Sequence, residues 1–190
     1  MKKVLLLLVF GSSVVLASAQ TTFGVKAGAN FATITDATGA KTKVGIYGGL
    51  QASLHLSSMF SFNPEAVYSS QGAKGTGETM NLNYINVPLL LQYNNASGFF
   101  AHTGPQIGFL MSAKDKVDGS GTTDIKDVTN STDFAWVFGA GFATHSGFGF
   151  NARYNLGFSK IFKSDVGSNS KNSVIQAGLF YNFGSGSTKK

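Results

Sequence analysis

Three charged residues, Lys26, Glu65 and Arg153, stand in segments that otherwise alternate apolar with small or polar residues. Counted along those segments, all three fall on the small-and-polar side, at a similar height. Gln51 and Asn151 come to the same level. Two cations and one carboxylate so placed have two uses: they line an ion path or gate, or they neutralise one another as a structural plug. A buried charge needs a partner, and Glu65 between Lys26 and Arg153 would supply one.

The remaining titratable residues offer less chemistry. His55, His102 and His145 do not combine with a serine and an aspartate in any pattern that builds a triad. Asp115, Asp118, Asp124 and Asp127 lie among Gly and Thr, and their oxygens would suit calcium. Their spacing does not match the helix-loop-helix calcium pattern, and Lys114, Lys116 and Lys126 interleave with them, as in a solvated loop. No glycine-rich phosphate loop runs from a strand into a helix, and cysteine is absent. The roles of nucleophile, base and oxyanion donor are not jointly filled. The expectation is therefore no catalytic residue, no cofactor and no metal, in a protein that is not an enzyme.

The elements that hold the three charges are strands. Residues 23–34, 43–56, 60–70, 82–93, 99–112, 133–144, 148–162 and 173–183 each alternate with period two. They are longer than common globular strands and suit a tilted membrane crossing. Short connections at 57–59, 94–98 and 145–147 alternate strictly with long hydrophilic ones at 35–42, 71–81, 113–132 and 163–172. Membrane barrels show this asymmetry, with short periplasmic turns and long external loops. Phe23, Phe60, Tyr93, Phe99, Phe148 and Phe183 would form one aromatic girdle; Phe31, Tyr68, Phe109, Phe134 and Phe158 would form the other. A soluble lipocalin-like barrel would turn its apolar face inward. Here the opposite face carries Gly28, Asn30, Gly45, Gly49, Gln106, Gly139 and Asn155, which would fill a narrow lumen and make a poor lipid pocket. The interior of an eight-stranded barrel is just wide enough for side chains, which favours the plug over the ion path.

The ends agree with this class. Residues 1–19 read as a cleaved signal peptide: Lys2 and Lys3, an apolar stretch, then Ala17-Ser18-Ala19. Residues 20–184 form the barrel and 185–190 a flexible tail. The formal net charge of +6 comes from scattered lysines with no basic stripe, so no nucleic-acid partner is expected. With 24 Gly and 17 Phe against 3 Pro, the composition is that of close-packed strands.

The last strand, 173–183, resembles the sorting signal read by the bacterial outer-membrane assembly machinery: Gln176, Gly178, Tyr181 and Phe183 are the matching positions. Several other phrases, at 23–30, 63–69, 83–91, 104–108, 139–141 and 152–158, resemble the outer-membrane β-barrel family common in Bacteroidetes and often called PorT-like. The resemblance covers nearly the whole mature chain and speaks to fold, not to a reaction. It implies an all-β, eight-stranded antiparallel transmembrane barrel, integral to the bacterial outer membrane, with both termini periplasmic. Some relatives serve protein secretion. The expected role is a structural or interaction protein presenting four extracellular loops from a plugged barrel. The alternatives are a small or gated channel and an accessory component of an envelope secretion system. Expected partners are outer-membrane lipid, the assembly machinery during biogenesis, and a protein partner at the external loops.

Overall fold

The computed structural model describes residues 21–35, 40–163 and 169–183. The signal-peptide reading and the 185–190 tail lie outside them. Among the described residues the strands are β1 (Thr21–Thr35), β2 (Lys41–His55), β3 (Phe60–Lys74), β4 (Glu78–Asn94), β5 (Phe99–Val117), β6 (Gly121–Asp124), β7 (Thr132–Ala143), β8 (Phe148–Gly157) and β9 (Lys171–Phe183). Eight of them form a closed antiparallel barrel in which each strand pairs with its neighbours in sequence, and β1 pairs with β9 to complete the ring. The short β6 pairs only with the projecting end of β5.

Closure leaves no sheet edge, the condition for backbone to cross lipid. A path along paired residues from Thr21 through Leu54, Phe62, Leu91, Thr103, Phe138, Tyr154 and Ile175 returns to β1 at Phe31, ten residues further on. That stagger tilts the strands and sets the bore.

Burial follows the expected alternation. In β3, Ser61, Asn63, Glu65, Val67 and Ser69 are buried, while Phe60, Ala66 and Tyr68 are exposed. The outer surface is apolar almost throughout, with Val44, Ile46, Leu50, Leu91, Phe138 and Leu179 among its exposed side chains. All eleven girdle aromatics expected from the sequence are exposed. Those nearest the chain termini touch edge to face, with ring centroids 5.6 Å apart in Phe60–Tyr93 and 5.5 Å in Tyr181–Phe183. Phe23 and Phe31 mark the two girdles on β1. They lie about 26 Å apart along the strand, or about 20 Å along the axis at a tilt near 40°, close to the height of an outer-membrane apolar band. Trp136 faces outward with its indole N–H donated to Thr103 Oγ1 at 2.8 Å, so this donor is not bare toward lipid.

The connections at the end away from the termini differ from expectation. The 71–81 stretch is not a long loop: β3 runs to Lys74 and β4 starts at Glu78. The 113–132 stretch is part strand, because β5 continues to Val117 and β6 folds back on it. A 3-10 turn, Lys126–Val128, follows. Strands projecting beyond the apolar girdle keep their ladder but need no apolar face, so the pattern that marks them in sequence disappears. Conversely, β8 stops at Gly157, short of the expected 162, because the next residues turn back over the barrel mouth.

Candidate functional site

The lumen is the place where the polar side chains converge. Glu65 on β3 stands between Lys26 on β1 and Arg153 on β8. Oε1 accepts from Lys26 Nζ at 2.6 Å and Oε2 from Arg153 Nη1 at 2.7 Å. The three side chains are almost wholly buried. Arg153 also donates from Nε to Gln176 Oε1, and Gln176 donates to Asn30 Oδ1. Asn30 in turn donates to Ser69 Oγ at 2.9 Å and to the Ser70 carbonyl at 2.8 Å. The structure thus brings Lys26, Glu65 and Arg153 into one network that spans β1, β3, β8 and β9.

Glycines make room for this network. Gly28 and Gly178 pair directly across β1 and β9, and a Cβ on either would strike Tyr47 as well as backbone. The Tyr47 ring lies over that glycine floor, its hydroxyl on Asn151 Oδ1 at 3.3 Å and the Arg153 guanidinium 5.6 Å from its centroid. Gln176 and Gly178, singled out as sorting-signal positions, therefore also build the lumen. Tyr181 and Phe183, the other two, lie on the outward side and pack on each other in the girdle.

Toward the termini the lumen opens into a cavity of about 140 Å³ whose lining includes Lys26, Gln51, Asn63, Phe100, His102 and Phe180. Its wall is a relay of amides and hydroxyls: Ser53 donates to Asn63, Asn63 to Gln92, Gln92 to Asn94, and Asn94 to Ser61. Gln51 donates to Asn182 at 2.7 Å.

Toward the other end the lumen turns apolar. Ile34, Ala73, Leu82, Tyr84, Leu110, Ala113 and Ile161 form one buried cluster, with Ala40, Met80, Ile125 and Phe162 packed against it. Ile125 comes from the connection after β6, and Ile161 and Phe162 from the one after β8. These two connections are stitched together over the mouth. Asn130 N donates to Ile161 O at 2.8 Å, Lys163 N to Val128 O at 3.0 Å, and Asn130 Nδ2 to Lys160 O at 2.8 Å. Their described residues form a lid, not free loops.

This cap was missed from sequence. Leu82, Tyr84 and Leu110 stood on the face read as small and polar. The available signal was Met80, Leu82, Tyr84 and Leu110 themselves, large side chains recurring at inward positions near one end of β4 and β5. The amide relay was also missed, although Ser53, Ser61, Asn63 and Gln92 recur at inward positions. His102 is buried at the cavity, His55 at the end of β2 lines the same cavity, and His145 lies in the turn before β8. Among the described residues no three His, Cys, Asp or Glu side chains gather to hold a metal. Asp124 instead accepts from the Lys126 backbone N–H at 2.8 Å.

Comparison with known proteins gives a consistent picture. The model for the outer membrane protein beta-barrel domain matches residues 18–163. No curated protein matches the chain. Among solved structures, Ail, the attachment invasion locus protein of Yersinia pestis, superposes with a TM-score of 0.51 at 14% identity, covering 87% of this chain and 99% of that one. Neisserial surface protein A superposes with a TM-score of 0.57 at 17% identity, covering 85% of this chain and 97% of that one. At these identities the likeness is one of fold.

Proposed function

The chain belongs to the outer membrane protein beta-barrel domain family, and from that premise we propose that it is a structural or interaction protein that presents its lid to the outside. Its location is integral to the outer membrane, with the apolar outer surface in lipid. Both termini face the periplasm in this reading, since the short turns share their end of the barrel. It catalyses no reaction and passes no general solute.

One observation carries the reading: the lumen is closed twice. The Lys26–Glu65–Arg153 bridge crosses it, and the apolar cluster around Leu82, Leu110 and Ile161 stops the other end. An ion crossing that cluster would lose its hydration with nothing to replace it. Among the described residues, what remains to meet a partner is the lid of the third and fourth connections and the short 75–77 turn, held on rigid strands; the first connection, the other of the four external ones, lies largely outside the described residues. The phrases resembling PorT-like barrels support a Bacteroidetes-type relative, delivered by a leader ending at Ala19 and inserted by the assembly machinery. A mature chain starting elsewhere than Gln20 would count against the leader.

A gated channel is the second reading, favoured by one feature. Asn86 Oδ1, Gln106 Oε1 and both Asn155 side-chain atoms are buried without a partner among the described residues, so a polar stretch lies between bridge and cap. The test for both is single-channel recording with the folded barrel in planar bilayers. Silence is expected. Reproducible discrete steps, altered in Glu65→Ala, would replace the plug with a channel. Co-purification with a large envelope complex would favour a secretion accessory instead.

A further inference from the structure

One sector of the rim away from the termini carries positive charge without a counter-charge. Lys41 on β2 and Lys74 on β3 are paired directly across the ladder, and both are exposed. Directly opposed residues hold their Cβ atoms about 5 Å apart, where like charges destabilise the pair. Beside them Lys43 is buried, and its Nζ donates to Ser70 Oγ at 3.2 Å and to the Gln71 carbonyl at 3.0 Å. Those acceptors are neutral, and Lys43 lies within electrostatic reach of Lys74. Among the described residues, both ion pairs of the barrel belong to Glu65, deep in the lumen. Glu78, beyond the 75–77 turn, packs against Gly75 and forms no ion pair. The lid sector differs: Lys114 pairs with Asp124 across β5 and β6, and Lys116 and Lys126 alternate with Asp115, Asp118 and Asp127.

The lysine pair stands at the height of lipid headgroups. Val44, three residues below Lys41 on β2, is 62% exposed and pairs with the girdle residue Phe31. Ile46, below it, is 68% exposed. Three residues are about 10 Å of strand, or roughly 7–8 Å along the axis at a tilt near 40°. The headgroup layer adds roughly 5–8 Å to each side of the hydrocarbon core, so the two ammonium groups fall within or at the edge of it. Down this wall, two exposed cations give way at once to an apolar strip of Phe31, Val44 and Ile46. That is the polarity profile of a lipid with an anionic head.

We propose that Lys41 and Lys74 clamp the phosphate of an anionic lipid in the leaflet at that end, with its acyl chains lying along Phe31, Val44 and Ile46. A phosphate monoester carries nearly two negative charges at neutral pH, so one headgroup offsets both lysines and turns a repulsive pair into a bridged one. Lys43 strengthens the same field from the inner side. A soluble phosphate would gain the charge contacts but leave the apolar strip unused, so a lipid is the source this wall fits. The site rests on the membrane location of the barrel and is separate from the lid and from whatever the lid meets.

The test is urea unfolding of the full barrel in phosphatidylcholine vesicles with and without phosphatidic acid, comparing the unsubstituted chain with Lys41→Gln/Lys74→Gln. Phosphatidic acid should raise the folded-to-unfolded ratio of the unsubstituted chain about 25-fold more than that of the double variant, roughly fivefold for each lysine at the membrane surface. In phosphatidylcholine alone the double variant should be at least as stable as the unsubstituted chain, because the repulsion is gone. Lys114→Gln/Lys116→Gln removes the same charge from the lid sector and should keep the full gain. If Lys41→Gln/Lys74→Gln does not fold, Lys74→Gln alone serves, with about a fivefold loss expected. An equal gain in the Lys41 and Lys74 variants overturns the proposal. So does an equal loss in Lys114→Gln/Lys116→Gln, which would assign the effect to overall surface charge. A gain reproduced by glycerol phosphate in plain phosphatidylcholine would also overturn it, since the site would then take phosphate without the lipid.

Discussion

Glu65→Gln is the sharpest test of the lumen architecture. The substitution is nearly isosteric, so it opens no cavity and removes only the negative charge. In the folded barrel that charge meets Lys26 at 2.6 Å and Arg153 at 2.7 Å, with all three side chains out of contact with water. Breaking a buried pair by removing one partner costs about 3–5 kcal/mol, because the other charge is left uncompensated. Here two cations are stranded together and repel, which places the loss at the upper end of that range. At roughly 1.4 kcal/mol per decade, the folded-to-unfolded ratio should fall by about four thousandfold. Lys26→Met, which keeps the Arg153 pair, should cost much less. The assay is urea unfolding in phospholipid vesicles, read as the fraction of heat-shifted folded band on gels. If Glu65→Gln unfolds within about 1 kcal/mol of the unsubstituted protein, or if Lys26→Met is the more damaging change, the bridge is not what holds the lumen together.

Three further outcomes follow from other parts of the barrel. Leu50 is 63% exposed and sits between the two aromatic girdles, so Leu50→Arg should destabilise the vesicle-inserted barrel by about 2–4 kcal/mol, and equal stability would contradict a lipid-facing midplane there. Gly178→Val should drive a side chain into Tyr47 and the β1 backbone and abolish the folded band, while Ala177→Val on the outward face should fold normally. Ile161→Asp places a charge in the apolar cap, so limited proteolysis should cut between 118 and 130 while the barrel stays folded; cleavage no faster than in the unsubstituted chain would show that the cap does not fasten the lid.

The amino-acid sequence by itself determined the barrel, its strand number and which face meets lipid. The reason is that lipid admits only apolar side chains on one side and a closed ladder within, so every crossing repeats the same period of two. Phe23, Leu50, Tyr68, Leu91, Phe109 and Phe138 lie where that period puts them. It also put Lys26, Glu65 and Arg153 on the inner face at one height, because a buried carboxylate demands cations within reach. Beyond the girdles the constraint lapses. There the Lys74 and Glu78 strand ends lost their pattern while keeping their hydrogen bonds, and only the fold reveals them. Tertiary structure alone decided the contents of the lumen: the stagger of ten residues set which inward side chains share a level, and so joined Glu65 to Arg153 and laid Tyr47 on Gly28 and Gly178. The same holds for Ile161, drawn back over the mouth from a segment whose sequence reads as the end of a strand. Contacts between residues a hundred positions apart depend on register and closure, which no local pattern encodes.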